Sequence, residues 1–212
     1  MKFYELVNYL DSALKAPLPG KKGQVLMAPK PIEDARFEPE RMKRARKGAV
    51  LLLIYPGKAT VLVPFIKRPI YLGVHSGQVA LPGGKMDPGD PDLEYTALRE
   101  TEEEIGVDKT SVKLLGQLSA LYVSPSNFSI VPFVGFTENP PEFKPDPREV
   151  DKLITCDFSQ LIYAGVKKEK TMEPYQGVNI VAPYYEIGGE MVWGATAMIL
   201  SEFLLILKSS NL

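Results

Sequence analysis

Residues 81–107 read LPGGKMDPGDPDLEYTALRETEEEIGV. The spacing predicts a helix over 92–105 with Gly106 as its C-terminal stop. Ala97, Leu98, Thr101 and Ile105 form the packing stripe of that helix. At 100° per residue, Glu100, Glu103 and Glu104 share an arc of about 100° beside Arg99, and Glu102 points elsewhere. Like charges at i, i+3 and i+4 repel, and one arginine cannot neutralise three acids. A hard divalent cation can, because oxygen-only clusters suit magnesium, manganese or calcium. A solvated acidic helix face has the same pattern, so the helix alone leaves both readings open. The loop before it favours a ligand site, since Gly83-Gly84 lets backbone approach where a side chain would block it. Asp90-Pro91 offers an N-cap followed by proline at the first helical position.

Working outward, the run AVLLLIY at 49–55 and TVLVPFI at 60–66 flank Pro56-Gly57 and predict two buried strands joined as a hairpin. Further strands are expected at 111–118, 130–136 and 150–158, with a short helix at 159–163. A late hairpin over 184–187 and 191–193 turns at Gly188-Gly189. Phe3, Leu6, Val7, Leu10 and Leu14 repeat at helical spacing and predict a first amphipathic helix. Residues 17–42 are rich in Pro, Gly and charge and are expected to be irregular. A basic run, Arg41, Lys43, Arg44, Arg46 and Lys47, precedes the first strand. The stretch 195–208 predicts a closing core helix, one face of which could meet a second copy. It is too short to span a bilayer, which takes about 20 residues. Helices and strands mix without regular alternation, so the fold class is α+β.

The chain has 212 residues, 45% apolar and 24% charged, which excludes a disordered, collagenous or coiled-coil protein. Its net charge of −1 supports no global attraction to nucleic acid or to a membrane surface. Residues 1–10 lack the apolar run of a signal peptide. The one cysteine, Cys156, allows no intramolecular disulfide and suits a reducing, cytoplasmic setting. The one histidine, His75, excludes zinc sites that need two. Cys156 reads as a small core residue rather than a nucleophile, and Trp193 as core rather than a base-stacking platform.

Residues 84–107 resemble the Nudix box, GX5EX7REUXEEXGU, where U is aliphatic. Gly84 matches the first glycine, Arg99-Glu100 the RE pair, Glu103-Glu104 the EE pair, and Gly106-Val107 the end. The first acid is Asp90 rather than Glu, eight residues rather than seven separate it from Arg99, and Thr101 stands where an aliphatic residue is usual. The upstream stretch 68–84 is similar to the coenzyme A pyrophosphatase signature, LLTxRSxxLxxHxGxVxFPGGxxDxxD. Arg68, Leu72, His75, Gly77, Val79, Asp87 and Asp90 match it, while Pro69 replaces its serine and Leu81 its phenylalanine. Trp193-Gly194-Ala195-Thr196-Ala197 resembles the start of that group's last helix.

The resemblance implies a Nudix α/β/α sandwich with a mixed sheet over residues 45–212, preceded by an N-terminal helix and irregular extension over 1–44. It implies a hydrolase using Mg2+ or Mn2+ and splitting coenzyme A or a derivative into adenosine 3′,5′-bisphosphate and 4′-phosphopantetheine. Glu100, Glu103 and Glu104 would be the metal ligands, with Glu103 alternatively the proton acceptor and Arg99 its orienting partner. Gly83 and Gly84 would lie near metal and phosphate, and His75 would either contact substrate or shape its loop. Glu149, in a turn-rich loop, is the candidate late acid, with Glu142 and Glu173 as rivals; a surface pair with Arg148 or Lys152 is the plain alternative. Arg46 and Lys47, just ahead of the first strand, and Arg68 are the candidates to read the 3′-phosphate. The partner expected is a small nucleotide-like substrate, with no nucleic acid or membrane, and a homodimer is the oligomer considered. Two alternatives stand beside this: a Nudix hydrolase of another nucleoside diphosphate derivative such as ADP-ribose or NADH, and a non-catalytic nucleotide-binding module.

Overall fold

The apolar run at 49–55 becomes the middle of β1 (Arg46–Pro56), on which the rest of the molecule is hung. The computed structural model describes residues 2–32, 37–163, 168–175 and 178–208. β1 runs parallel to β7 (Phe128–Phe136), from Arg46↔Phe128 to Ile54↔Phe136. Its other edge pairs antiparallel with β4 (Gly83–Lys85) through Gly48–Val50, then with β2 (Val61–Lys67) through Tyr55 and Pro56. β2 also pairs with β3 (Val79–Ala80) and β8 (Lys152–Asp157), and β7 with β5 (Lys113–Gln117) and β6 (Leu121–Val123). A separate antiparallel sheet has the order β11-β10-β9, from β9 (Lys168–Tyr175), β10 (Val178–Ile187) and β11 (Glu190–Trp193).

Alternation along a strand covered on both faces feeds two cores. Ala49, Leu51 and Leu53 pack with Ala97, Ile105 and Val107 beneath α4 (Leu93–Ile105). Leu52 and Ile54 face the opposite way, toward Leu6 and Leu10 of α1 (Phe3–Ala13) and Met198 and Phe203 of α6 (Gly194–Lys208). Helix, mixed sheet and helix therefore stack as the expected α+β sandwich. Leu51 to Ile54 are all fully buried. Each such side chain contributes about 1.5–3 kcal/mol of burial free energy.

The structure revises several sequence expectations. The expected hairpin holds only two pairs, Tyr55↔Leu62 and Pro56↔Val61, before β2 leaves β1 for β8. The segment 17–42, expected to be irregular, contains α2 (Lys21–Gln24), a 3-10 turn (Val25–Met27) and the start of α3 (Pro39–Arg44). These are not loose. Met27 and Ala28 join the core, and Glu202 of α6, fully buried, holds the segment by its carboxylate. Glu202 Oε1 accepts from the Gly20 and Ser119 N–H groups at 3.0 and 3.3 Å, and Oε2 from the Gln24 amide at 3.0 Å. The Ser201 hydroxyl donates to the Gly23 carbonyl at 2.8 Å, and the Tyr9 hydroxyl to that of Ile206 at 2.7 Å. The apolar surface of α6 is thus covered largely by the chain's own N-terminal segment. Among the described residues no helix is long and apolar enough to cross a membrane.

Candidate active site

The box helix α4 begins one residue later than expected and is capped differently. Its N-cap is Asp92, whose carboxylate accepts from the Tyr95 N–H at 2.8 Å. Gly106 ends it as expected, in the left-handed region at φ 72°, with its N–H on the Glu102 carbonyl. Asp90, read from sequence as the cap, does something else. Its side chain is 3% exposed and grips Arg99 through two bonds of 2.9 Å, Nε to Oδ1 and Nη2 to Oδ2. The Thr96 hydroxyl and the Asp87 N–H add bonds to Oδ2 at 2.9 and 3.0 Å. These bonds hold the Asp90 carboxyl well below the usual carboxylate range, the Arg99 guanidinium being the main cause. The sequence signal for this was the acid position of the box itself, which the capping reading obscured.

Arg99, pinned by Asp90, distributes its remaining donors. Nη1 donates to Glu103 at 2.8 Å, Nη2 to the Lys85 carbonyl at 3.1 Å, and Nη2 lies 3.1 Å from Glu100. The expected orientation of Glu103 by Arg99 is therefore the geometry observed. Glu104 points into the fold with a side chain 2% exposed. It accepts the Gly83 N–H at 2.8 Å and has Arg68 at 3.7 Å. Burial pushes its carboxyl up to about 7, with Arg68 and the Gly83 bond opposing and Glu100 and Glu149 adding to the rise. Glu100 is raised too, chiefly by burial, against the pull of Arg99. Glu102 pairs with Lys109 on another side.

The glycine pair is demanded by this packing. Gly83 sits at φ 143°, and a Cβ there would strike the Ala49 carbonyl; a Cβ at Gly84 would strike the Glu100 carboxylate. Arg68 Nη2 donates to the Gly83 carbonyl at 3.3 Å, so this expected substrate residue lies within the carboxylate cluster. The loop that carries Glu149 comes to the end of the same helix. The Lys144 and Asp146 N–H groups bond to the Ile105 and Glu104 carbonyls at 2.9 and 3.0 Å, folding the 144–150 loop onto the end of α4. The charge of Glu149 reaches both Glu100 and Glu104. Of its plain alternatives, Arg148 bonds to Asp146 and is also raised by the charge of Glu149, while Lys152 faces Glu190. Glu142 pairs with Lys144 at 3.5 Å, and the side chain of Glu173 lies outside the described residues.

Two other expected site residues lie away from the α4 carboxylates. Arg46 stacks on the Phe128 ring, 4.2 Å from its centroid, and donates to the Ser126 carbonyl. His75 occupies a left-handed turn at φ 74°, its Nδ1 3.1 Å from the Gln78 side-chain oxygen. Neither touches the α4 carboxylates among the described residues. Cys156 is buried, and burial pushes its thiol up to about 11, which suits an inert core residue.

No group of three or more carboxylate, histidine or cysteine side chains among the described residues is arranged to hold a metal ion. The glutamates are occupied by Arg99, Arg68 and the Gly83 amide instead. The donor set nonetheless fits a hard divalent cation: it is all oxygen, and two of its carboxylates are buried without full compensation, as their raised pKa values show.

The sequence model of the NUDIX domain matches residues 45–176. The chain belongs to the Nudix family. Among curated Nudix proteins it is 32% identical to Nudix hydrolase 15, mitochondrial, of Arabidopsis thaliana, over 84% of this chain and 62% of that one. It is 36% identical to the uncharacterized Nudix hydrolase NudL of Yersinia enterocolitica, over 67% of this chain and 77% of that one. The chain thus spans about three-fifths of the length of the plant relative. Among solved structures, the Nudix hydrolase RenU from M. smegmatis superposes with a TM-score of 0.54 at 15% identity, over 79% of this chain and 89% of that one. The Nudix fold is common to both.

Proposed function

We propose that this Nudix protein is a metal-dependent hydrolase that cleaves the pyrophosphate bond of coenzyme A or a derivative. The products would be adenosine 3′,5′-bisphosphate and 4′-phosphopantetheine. The observation that carries the hydrolase reading is the convergence of Glu100, Glu104, Arg68 and the loop of Glu149 on the Gly83-Gly84 backbone. The coenzyme A reading rests on the match of Arg68, Leu72, His75 and Gly77 to the upstream signature, with Arg68 tying that segment to Glu104.

Glu100 and Glu104 would hold Mg2+ or Mn2+, with Glu103 as a further ligand. Such a cation supplies charge neutralisation on the pyrophosphate and a more acidic water. Arg99 keeps Glu103 and Glu100 in place through Asp90. Glu149, exposed in the loop that folds onto the end of α4, would take the proton of the attacking water. Gly83 and Gly84 let β1 and the Glu100 carboxylate close against that backbone.

The test is chromatographic product analysis with Mg2+ or Mn2+ and a panel of coenzyme A, NADH, ADP-ribose and diadenosine polyphosphates. Preferential release of adenosine 3′,5′-bisphosphate from coenzyme A is expected. Faster turnover of ADP-ribose or NADH would replace the substrate assignment, and no turnover of any member would overturn the hydrolase reading.

A further inference from the structure

Two guanidinium groups enter the carboxylate cluster, and they are held very differently. Arg99 is fixed: Asp90 takes it with two bonds of 2.9 Å, and the Lys85 carbonyl and Glu103 take further donors at 3.1 and 2.8 Å. Its side chain is 15% exposed. Arg68 is 29% exposed. Among the described residues its guanidinium makes one hydrogen bond, from Nη2 to the Gly83 carbonyl at 3.3 Å, just beyond the usual range of about 2.7–3.2 Å. The same Nη2 faces Glu104 Oε1 at 3.7 Å, an ion pair too long for a hydrogen bond. A guanidinium has five N–H donors, so most of those on Arg68 are uncommitted among the described residues.

The backbone beneath Arg68 is firm. The residue directly follows β2, whose last pair with β3 is Lys67↔Val79, and its N–H donates to the Gln78 carbonyl at 3.0 Å. A long side chain on a fixed stem can change partner without leaving the site. Glu104 is held from its other oxygen, since Oε2 accepts the Gly83 N–H at 2.8 Å. A divalent cation on Glu104 therefore competes with Arg68 for Oε1, and of the two arginines Arg68 is the one that can give way.

We propose that Arg68 is a substrate-binding residue with two partners in sequence: it rests on Glu104, yields Oε1 when the divalent cation arrives, and then grips the pyrophosphate oxygens of the substrate. Its planar fork matches phosphate oxygens as well as a carboxylate. The exchange gives an order of binding, cation before nucleotide. It also moves Arg68 from the 3′-phosphate, for which the sequence nominates it, to the group that is cleaved. It deepens the metal-dependent hydrolase reading and rests on it for the cation.

The experiment measures Mn2+ binding to the full chain by electron paramagnetic resonance at pH 8. Isothermal titration calorimetry then follows with adenosine 5′-(α,β-methylene)diphosphate, whose bridge cannot be hydrolysed. Wild type, Arg68→Gln and Arg68→Lys are compared, with circular dichroism confirming that each folds. Arg68→Gln should bind Mn2+ at least about fivefold more tightly than wild type, because a like charge is gone from beside the ligand oxygen. Arg68→Lys keeps that charge and should stay within about twofold of wild type. In saturating Mn2+, Arg68→Gln should bind the diphosphate at least about tenfold more weakly, the scale of a lost charge-assisted contact. Without metal that difference should shrink below about threefold, since Glu104 then holds Arg68. The exchange is overturned if Arg68→Gln binds Mn2+ no more tightly than wild type, if Arg68→Lys rises as Arg68→Gln does, or if the diphosphate affinity is unaltered or falls equally without metal. A wild type that takes up no Mn2+ would sink the metal-dependent hydrolase reading and the exchange with it, whereas Mn2+ uptake with the wrong variant pattern sinks the exchange alone.

Discussion

Asp90→Asn probes the joint on which the carboxylate helix is hung. In wild type four donors converge on two oxygens: Arg99 Nε on Oδ1, and Arg99 Nη2, the Thr96 hydroxyl and the Asp87 N–H on Oδ2. An asparagine oxygen placed on the crowded side leaves its NH2 facing the Arg99 Nε–H, donor against donor. Removing one partner of a buried ion pair costs about 3–5 kcal/mol. Arg99 is 15% exposed and keeps Glu103 and Glu100, so the cost falls just below that range, about 2–3 kcal/mol. At about 2–4 °C per kcal/mol for a chain of this length, the melting temperature at pH 7 should fall by roughly 4–12 °C. Because the Asp90 carboxyl sits below its ordinary value of 3.8, its contribution is complete above that pH and is lost on further acidification. The gap between wild type and variant should therefore close below about pH 4. Turnover should drop with it, since Arg99, which orients Glu103, is no longer anchored, and scanning calorimetry with a steady-state assay reads both. A melting temperature within about 1 °C of wild type at pH 7, with unchanged turnover, would refute the reasoning.

Further expectations follow from the same geometry. Glu149→Gln should fold normally and lower kcat by at least about a hundredfold at saturating Mg2+, and unchanged kcat across pH would remove Glu149 from the mechanism. Gly84→Ala forces the Glu100 carboxylate aside and should weaken Mg2+ activation by about tenfold or more, read from the metal dependence of the rate; an unaltered metal curve would show that Glu100 can yield without consequence. Cys156, with its thiol near 11, should resist a disulfide-exchange reagent in the native state at pH 8 and react fully in denaturant; fast native labelling would contradict the buried placement.

Much of the molecule was legible in the chain because the decisive information was local. β1 is an apolar run bounded by Pro56-Gly57, α4 ends where Gly106 supplies a left-handed residue, and α6 is apolar through a whole helical length. What was not legible depends on partners far away in sequence. β3 and β4 are two and three residues long and exist only because β2 and β1 pair with them. The helices within 17–44 carry too little apolar pattern to be read alone and are held by α6 and the sheet. At the site, the three glutamates and Arg99 lie on one helix and could be read from its period. Asp90 was misassigned because aspartate before proline suits a cap as well as an anchor, and only the folded loop shows that Asp92 takes the capping role.

The anchorage of the N-terminal segment on Glu202 also governs the timing of assembly. Gly20 and Glu202 are 182 residues apart, and Tyr9 and Ile206 are 197 apart. At about 5–20 residues per second of synthesis, α1 and α2 wait roughly 10–40 s on the ribosome before α6 exists. During that interval Leu6 and Leu10 have β1 to pack on but not α6, and Glu202, once made, meets the Gly20 and Ser119 N–H groups and the Gln24 amide. The contact between the N-terminal segment and α6 therefore closes late, and a nascent protein halted before α6 would present the uncovered part of its first helices to chaperones and proteases.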